Sequence, residues 1–386
     1  MGFDLAWGAR SVALADEVVH PSSPWHGAVA ATPRHLLVPR WWRYLADEGG
    51  WTLRVGEDDP ERWLDAAYAN RTLVTRVGNL HADHATSDDH PTGLPTSSST
   101  LPGLVVSMFQ HALITNASDV LCVTGSGYGT GLLADRLGDQ RVTSVDVDPY
   151  LVHAASTRLS TLGLSPKVTV CDITGPLPGK FDRIVSTVGL PRIPAGWLTA
   201  LNDGGRLVTN LAGTGMVIAA DKAPDGGARG QVTWERAGFM ATRGGDNYPP
   251  APSTRHAWTN EGEDIGTGRY PVVQVAETWE LMSAFALTAP GVQHGYDEDA
   301  DGVRTAVMVH QDGSWARATG QKGEPPTVHQ AGPRRLWDIL DEIRHDWLSD
   351  GSLPVYGAKV TITPDGRTTL SRGHWAVTLG THSWPS

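Results

Sequence analysis

Between residues 100 and 213, short apolar runs alternate with stretches of helical period. This alternation is typical of a parallel sheet whose strands are joined by crossover helices. The apolar runs predict five strands, at residues 120–123, 142–147, 167–170, 181–186 and 205–210, and a helix at 129–137 directly after a glycine-rich turn. We therefore predict an α/β fold with a Rossmann-like, doubly wound sheet over residues 100–220.

The flanking regions predict further units. Residues 1–76 contain helix-like pieces, among them the tryptophan-rich run 39–45 and the stretch 60–69. Residues 77–99 are polar and rich in turn-forming residues, so we expect a loop that covers a site as a lid. Residues 221–386 combine short strand-like alternation with one amphipathic helix at 334–348. They predict an α+β accessory domain and are a candidate for peptide recognition.

Composition excludes several classes of function. The net charge of -11 lacks the basic footprint that nucleic acids or anionic membranes require, so neither is expected as a partner. Cys122 and Cys171 lie in apolar strand-like runs and are predicted to be core residues. The first residues do not resemble a signal peptide, and no apolar stretch approaches the ~20 residues that span a bilayer. A soluble, cytoplasmic protein is expected; the sequence does not indicate its oligomeric state.

The strongest chemical signal is a glycine-rich turn followed by two acidic residues. Gly125 and Gly127 allow the backbone to approach a ligand at a helix N-terminus, although a tight strand-to-helix turn needs glycine in any case. Asp146 ends the next strand, where a carboxylate can accept hydrogen bonds from both ribose hydroxyls of an adenosine cofactor. An isolated acid at a strand end is equally often just solvated. Asp172 ends the third strand and could accept the adenine amino group.

These features resemble a known family. Residues 125–128, 144–146, 181–187, 193–194 and 204–208 are similar, in this order, to the successive motifs of protein L-isoaspartate O-methyltransferases, and residues 33–35 and 38–39 are similar to its N-terminal motif. The resemblance covers residues 25–215. It implies a carboxyl methyltransferase of class EC 2.1.1 that uses S-adenosyl-L-methionine and releases S-adenosyl-L-homocysteine. The cofactor-binding residues it implies are Thr124, Gly125, Ser126, Gly127, Tyr128, Asp146, Val147, Asp172 and Ile173.

The sequence departs from this family in three places. Val123 stands where the family usually has glycine, and the acidic residue common in the first strand is absent. The family's Ser-Gln-Pro motif aligns with residues 100–102, Thr-Leu-Pro, which keeps a hydroxyl and loses an amide. The third departure is an extra C-terminal third, which we expect ordinary repair enzymes of the family to lack. It resembles the methyltransferases that accompany ribosomally made, modified peptides, closest to those linked to ATP-grasp macrocyclases (graspetides) and similar to those of lanthipeptides.

The resemblance also suggests residues on the substrate side. The hydroxyls of Ser98, Ser99 and Thr100 could orient the substrate carboxylate, with Thr100 favoured by alignment, although such a run is often only a helix N-cap. Arg34 and His35 could ion-pair with an acidic substrate or form a surface pair, and Thr187 is expected at the same site.

Two further groups need an interpretation. His81, His84 and His90 stand in the polar loop without cysteine or regular ligand spacing, so we expect a lid and no metal. Arg334 and Arg335 could hold an acidic peptide, whereas solvated arginines are commoner.

Three functions remain open from the sequence. The first is methylation of an Asp or isoaspartyl carboxylate in a constrained, macrocyclic acidic peptide, whose ester loses methanol and becomes an aspartimide (succinimide). The second is general repair of isoaspartyl proteins, and the third is a binding module that has lost catalysis.

Overall fold

A computed structural model describes residues 2–45, 50–243 and 253–380 of the chain. Its helices are α1 (Gly2–Val18), α2 (His26–Ala31), α3 (Arg34–Leu37), α4 (Pro60–Ala67), α5 (Pro102–His111), α6 (Tyr128–Leu137), α7 (Pro149–Thr161), α8 (Ala195–Ala200), α9 (Trp279–Thr288) and α10 (Leu336–Ser349). Its strands are β1 (Arg40–Leu45), β2 (Gly50–Val55), β3 (Leu73–Val77), β4 (Leu80–His81), β5 (Pro95–Ser99), β6 (Val120–Val123), β7 (Val142–Asp146), β8 (Lys167–Val170), β9 (Phe181–Leu190), β10 (Leu201–Leu211), β11 (Met216–Lys222), β12 (Ala228–Arg236), β13 (Asp264–Thr267), β14 (Gln293–Glu298), β15 (Val303–Val309), β16 (Trp315–Gln321), β17 (Thr327–Ala331), β18 (Lys359–Ile362), β19 (Thr368–Arg372) and β20 (Trp375–Leu379).

The centre of the molecule is a ten-stranded sheet in the order β20-β19-β18-β12-β11-β10-β9-β6-β7-β8. The five strands predicted from the sequence form its parallel half, β10-β9-β6-β7-β8. The chain runs outward from β6 through β7 to β8 and then returns to the other side of β6 with β9. Open α/β sheets bind ligands at the carboxyl ends of the strands beside such a reversal. The predicted doubly wound sheet is therefore confirmed.

The central strand β6 shows why an unbroken apolar run forms a strand here. Val120 and Cys122 pack into a core with the N-terminal helices and α5, whereas Leu121 packs on the opposite face with α8 and the later strands. Successive side chains of a strand point to opposite faces, and both faces of a parallel sheet are covered. All three side chains are thus buried.

The sheet does not end at residue 220. β11 pairs antiparallel with β10, and β12 pairs with β18 from residue Ala228 opposite Ile362 to Gln231 opposite Lys359. Backbone hydrogen bonds thus join the predicted Rossmann-like region to the predicted accessory domain. The boundary expected between residues 220 and 221 is corrected: part of the C-terminal third extends the same sheet.

The N-terminal region contains a second sheet that the sequence reading missed. The run 39–45, expected to be helix-like, forms strand β1, which pairs antiparallel with β2 and β3 and buries Trp42 against Val77 and Ala82. The expected loop 77–99 also contains β4 and β5, both paired with β3. The prediction of a helix after residue 60 is confirmed by α4, which the Asp59 side chain caps.

The remainder of the C-terminal third is a five-stranded antiparallel sheet in the order β13-β17-β16-β15-β14. Helices α9 and α10 pack on it through Phe285, Trp337 and Leu340. The amphipathic pattern at 334–348 correctly predicted α10, and this part has the expected α+β character.

Within the described parts of the chain, no helix is long and apolar enough to cross a membrane.

Candidate functional site

A cavity of about 310 Å³ lies at the carboxyl edge of the parallel strands. Its lining includes the ends of β6, β7, β8 and β9, the strands that flank the reversal in the sheet. The volume falls in the range of roughly 300–1,000 Å³ that is usual for small-molecule sites.

The turn after β6 forms one side of the cavity. Gly125 and Gly127 have φ angles of +49° and +87°, in the left-handed region that favours glycine. The Gly127 N–H donates to the Thr124 carbonyl across 2.8 Å, and α6 begins at the next residue. A Cβ on Gly127 would lie 3.2 Å from the Cβ of Ala155 in α7. Glycine here thus permits both the bend and the close packing of two helices.

Asp146, at the end of β7, lies directly against this turn. Its Oδ2 accepts from the Gly125 N–H at 3.0 Å and its Oδ1 from the Asp148 N–H at 3.1 Å. Burial raises the pKa of Asp146, although the two backbone donors act in the opposite direction. Since each carboxylate oxygen has more than one lone pair, both can accept further hydrogen bonds from a ligand.

The neighbouring Asp148 is held by arginines. Its Oδ2 lies 2.5 Å from Arg76 Nη1 and 3.5 Å from Arg243 Nη2. Burial alone would raise the pKa of Asp148, but Arg76, the Tyr150 N–H and Arg243 bring it below its usual value. Asp148 is therefore an ion-paired structural acid, whereas Asp146 is the acid offered to the cavity.

The predicted cofactor-binding residues fall into two groups. The cavity is lined by Gly125, Asp146, Val147, Asp172 and Ile173. Asp172 is exposed, and its Oδ1 already accepts from the N–H and hydroxyl of Thr174 at 2.8 and 2.7 Å. Thr124, Ser126, Gly127 and Tyr128 do not line this cavity. Thr124, Ser126 and Tyr128 line a smaller recess of about 30 Å³ that shares Gly125 with the cavity.

This arrangement fits S-adenosyl-L-methionine. A buried carboxylate with free acceptor capacity lies beside a glycine backbone, and apolar side chains from Val145, Leu151 and Ile173 line the same space. Ribose hydroxyls need such an acceptor, and an adenine ring needs such apolar walls.

The opposite wall is supplied by the end of β5 and the residue after it. Ser98 and Thr100 line the cavity, and so does Thr187 of β9. Ser99 points the other way, since side chains alternate along a strand, and its Oγ accepts from Arg34 Nε at 3.3 Å. The structure thus brings two of the three predicted hydroxyls to the site.

Arg34 and His35 do not line the cavity. The Arg34 guanidinium is fully buried and donates to the carbonyls of Ala67, Ala69, Arg71, Ser99 and Thr100 at 2.9–3.2 Å. Burial lowers the pKa of Arg34 to about 10. His35 is also buried, and its Nδ1 lies 2.7 Å from the Tyr68 hydroxyl. This geometry corrects the expectation of an ion pair with substrate: Arg34 fixes the backbone that carries Ser99 and Thr100.

Sequence reasoning missed one wall of the cavity. Arg236, the last residue of β12, and residues 238–243 after it line the cavity, although they belong to the expected accessory domain. The segment is fixed by backbone hydrogen bonds from Gly189 to Met240 and from Thr242 to Gly189, at 2.8 and 2.9 Å. Nothing in its local pattern distinguishes it from an ordinary turn, because the contact depends on a partner about fifty residues away.

Two of the three histidines of the expected lid pack against a tyrosine. His81 is buried, its ring packs against Tyr150, and burial lowers its pKa to about 4. His84 packs on the same tyrosine, with ring centroids 4.3 Å apart, whereas His90 is exposed. Over residues 2–45, 50–243 and 253–380, no group of three or more His, Cys, Asp or Glu is arranged to hold a metal ion.

Known proteins provide an independent comparison. The family model described as Protein-L-isoaspartate(D-aspartate) O-methyltransferase matches residues 83–236. The chain is 35% identical over 158 residues to the Protein-L-isoaspartate O-methyltransferase of Erwinia tasmaniensis, which is 40% of this chain and 69% of that protein. It is 31% identical over 145 residues to Protein-L-isoaspartate O-methyltransferase 1 of Syntrophobacter fumaroxidans, covering 36% and 67% of the two proteins.

A solved structure agrees in fold over a longer span. The compared structure is that of a protein-L-isoaspartate O-methyltransferase. It matches this chain with a TM-score of 0.51 at 14% sequence identity, over 94% of this chain and 99% of the other. The likeness therefore includes the C-terminal third, which the sequence reading had treated as absent from ordinary repair enzymes. The order of motifs, the glycine turn with its acid and the two curated relatives lead to one conclusion: the chain belongs to the protein-L-isoaspartate O-methyltransferase family of protein carboxyl O-methyltransferases.

Proposed function

We propose that this protein uses S-adenosyl-L-methionine to esterify an Asp or isoaspartyl carboxylate in a constrained, ribosomally made acidic peptide. One observation carries the proposal: a single cavity is lined by Gly125 and Asp146 on one side and by Ser98 and Thr100 on the other. A cofactor subsite and hydroxyl donors for an anionic substrate thus face the same space.

The residues that would hold the cofactor are those of the turn and the strand ends. Asp146 would accept from the ribose hydroxyls, the Gly125 backbone would lie beside them, and Val147 and Ile173 would pack against the adenine. Bound in this way, S-adenosyl-L-methionine supplies an activated methyl group.

The protein's task on the substrate side is to orient a carboxylate. A carboxylic acid with a pKa of roughly 4 is already ionised at neutral pH, so no general base is needed. Ser98 and Thr100 can donate hydrogen bonds to one carboxylate oxygen and leave the other to react. Correct alignment of reacting groups contributes on the order of 7 kcal/mol or more in well-oriented systems. Arg34 supports this alignment indirectly, since it holds the Ser99 and Thr100 carbonyls.

The product ester has a further reaction open to it. The backbone amide nitrogen that follows the esterified residue attacks the ester carbonyl; an N–C bond forms, and the methoxy group leaves with the amide proton as methanol. The result is a succinimide (aspartimide). A macrocycle that already holds this amide near the ester favours ring closure, because less chain entropy is lost.

Support for a peptide substrate comes from the added wall formed by Arg236 and residues 238–243. Support for its restricted shape comes from the sequence resemblance to enzymes of modified peptides. General repair of isoaspartyl proteins is the second candidate. It is favoured by the names of the relatives and by a fold likeness that extends over the C-terminal third. The C-terminal third alone therefore does not separate the two functions.

Mass spectrometry tests the proposal. The protein is incubated with S-adenosyl-L-methionine and a macrocyclic peptide containing aspartate, and in parallel with the linear peptide of the same sequence and a linear isoaspartyl peptide. We expect the macrocycle to gain one methyl group or to lose one water, and the linear forms to react poorly.

Turnover of the linear isoaspartyl peptide without reaction of any macrocycle contradicts the proposal and supports repair. Failure to bind S-adenosyl-L-homocysteine in calorimetry supports a binding module without catalysis instead.

A further inference from the structure

A row of four side chains leads from the surface of the C-terminal third to the rim of the cavity. The rings of Trp234 and Tyr356 have centroids 3.6 Å apart, and Tyr356 stacks on Trp279 at 6.0 Å. On Trp279 lies the guanidinium of Arg236, with its carbon 4.3 Å from the ring centroid. We call Trp234, Tyr356, Trp279 and Arg236 the aromatic row. Its inner end, Arg236, lines the cavity.

The backbone at this inner end is firmly held. Asn210, which is buried, donates from Nδ2 to the Ala237 carbonyl at 2.7 Å, and the Ala237 N–H donates to Gly215 at 3.0 Å. The preceding residue, Glu235, accepts a hydrogen bond from Ser107 of α5. Arg236 is therefore presented from a fixed point, and its orientation is set further by the Trp279 ring.

Charge distinguishes Arg236 from the other candidate arginines. Arg334 is ion-paired with Asp312, Arg335 with Asp264 and Glu263, and Arg243 with Asp148. Among the residues that the structure describes, no carboxylate lies within ion-pair distance of Arg236, which is exposed. A guanidinium stacked on an indole keeps its outward N–H groups in one plane, the geometry that binds a carboxylate with two hydrogen bonds.

The outer end of the row is apolar and accessible. Trp234 is 72% exposed, so its ring is accessible to a ligand. An exposed indole and a fixed guanidinium together match a polypeptide chain that carries an acidic side chain, whereas a small ligand would not span both. Continuity with the cavity also favours the substrate over a separate partner.

We propose that the aromatic row binds the polypeptide next to the reacting carboxylate and that Arg236 receives a second carboxylate from a nearby Asp or Glu of the same chain. The inference rests on the proposed function and adds a specificity to it: the enzyme selects acidic sequences around the methylated residue. It also gives the C-terminal third a role at the site, since all four residues of the aromatic row come from it.

The test uses two synthetic macrocyclic peptides that each carry one Asp residue and differ only in a neighbouring Glu or Gln. With the wild-type protein we expect kcat/KM for methylation to be about threefold higher for the Glu peptide, because an exposed charge pair contributes up to about 1 kcal/mol. In Arg236→Gln this ratio should fall to about one, because the neutral amide forms no ion pair with the Glu carboxylate. The matched control Arg367→Gln, at an exposed turn between β18 and β19, should keep the wild-type ratio.

Trp234→Ala tests the outer end of the row. It should raise KM for both peptides about equally, while Tyr44→Ala, which removes a 57% exposed aromatic residue from β1, leaves KM unchanged. The affinity for S-adenosyl-L-homocysteine should be the same in Trp234→Ala and in the two control variants, because these three positions do not line the cavity.

The possible outcomes separate the two proposals. If the wild-type protein methylates both peptides at equal rates, or if Arg236→Gln keeps the preference, this inference is overturned while the proposed function stands. If the wild-type protein methylates no peptide although it is folded, the proposed function fails and the inference fails with it.

Discussion

The carboxylate of Asp146 accepts a hydrogen bond from the backbone N–H of Gly125, with 3.0 Å between oxygen and nitrogen. The bond ties the end of one strand to the turn that follows its neighbour. The acid and the glycine turn are thus a single preformed unit. Loss of the acid should affect ligand binding more than folding, because the turn keeps its own backbone hydrogen bonds.

Asp146→Asn should weaken the binding of S-adenosyl-L-homocysteine by roughly ten- to a hundredfold, the cost of replacing a charged acceptor by a neutral one. Calorimetry measures the affinity, and circular dichroism confirms that the variant is folded. Asp172→Asn is the comparison and should have the smaller effect, since the Asp172 carboxylate is already shared with Thr174. If the wild type and Asp146→Asn bind S-adenosyl-L-homocysteine with equal affinity, the adenosine does not bind beside Asp146 in this cavity.

The three consecutive hydroxyls should differ in what they contribute. Thr100→Val and Ser98→Ala should each lower kcat for methyl transfer by about tenfold, because a donor to the substrate carboxylate is lost. Ser99→Ala should leave kcat nearly unchanged and lower the free energy of unfolding by about 1 kcal/mol, since Ser99 accepts from Arg34. A large loss of kcat in Ser99→Ala alone would show that the site uses the other face of the strand.

Arg34→Met should be strongly destabilising. The change keeps an apolar stem but leaves the carbonyls of Ala67, Arg71 and Ser99 without the donor that they share. The expected loss in the free energy of unfolding is on the order of 3–5 kcal/mol, measured by denaturant titration. Arg43→Met, at an exposed position of β1, should change stability by less than about 0.5 kcal/mol. If the two variants are equally stable, the buried guanidinium does not anchor this region.

Stability should fall as the solution is acidified through the range set by His81. Burial lowers the pKa of His81 from 6.5 to about 4, so between these values the unfolded chain binds the proton and the folded chain does not. The contribution is present in full above pH 6.5 and is lost as the pH falls toward 4. Its size is on the order of 2–3 kcal/mol.

Urea unfolding at several pH values between about 7 and 4.5 measures this loss. The control is His81→Asn, which keeps an acceptor near the Asp83 N–H but does not titrate in this range. It should show a shallower pH dependence than the wild type. His294, whose pKa burial also lowers to about 4, gives a slope of the same sign that both proteins retain. If the free energy of unfolding depends on pH equally in the two proteins, the pKa of His81 is the same in the folded and unfolded states.

Much of the parallel sheet was predictable, because the signals for it are local. Each of the five strands is an apolar run of a few residues, and Gly125 with Gly127 marks the turn that must follow the first. Asp146 could be placed for the same reason: the carboxyl ends of neighbouring parallel strands meet at one edge.

The errors arose where long-range pairing decides the structure. The run 39–45 has two adjacent tryptophans and no clear alternation, and it became a strand through its pairing with β2 and β3. Arg34 was expected to meet substrate, yet it is buried by carbonyls from residues 67–71 and 99–100, which its own neighbourhood does not reveal. Arg236 reaches the cavity only because β12 joins the central sheet.

The ten-stranded sheet also restricts how this protein can be recombined with relatives. A chimera joined at residue 220 would cut within β11 and pair a β12 from one parent with a β10–β11 hairpin from another. Side chains on the two faces of these strands are buried in two different cores. Strands from different parents would therefore pack poorly in both cores. Exchange of substrate preference between family members therefore requires β11, β12 and β18 to be inherited from one parent as a block.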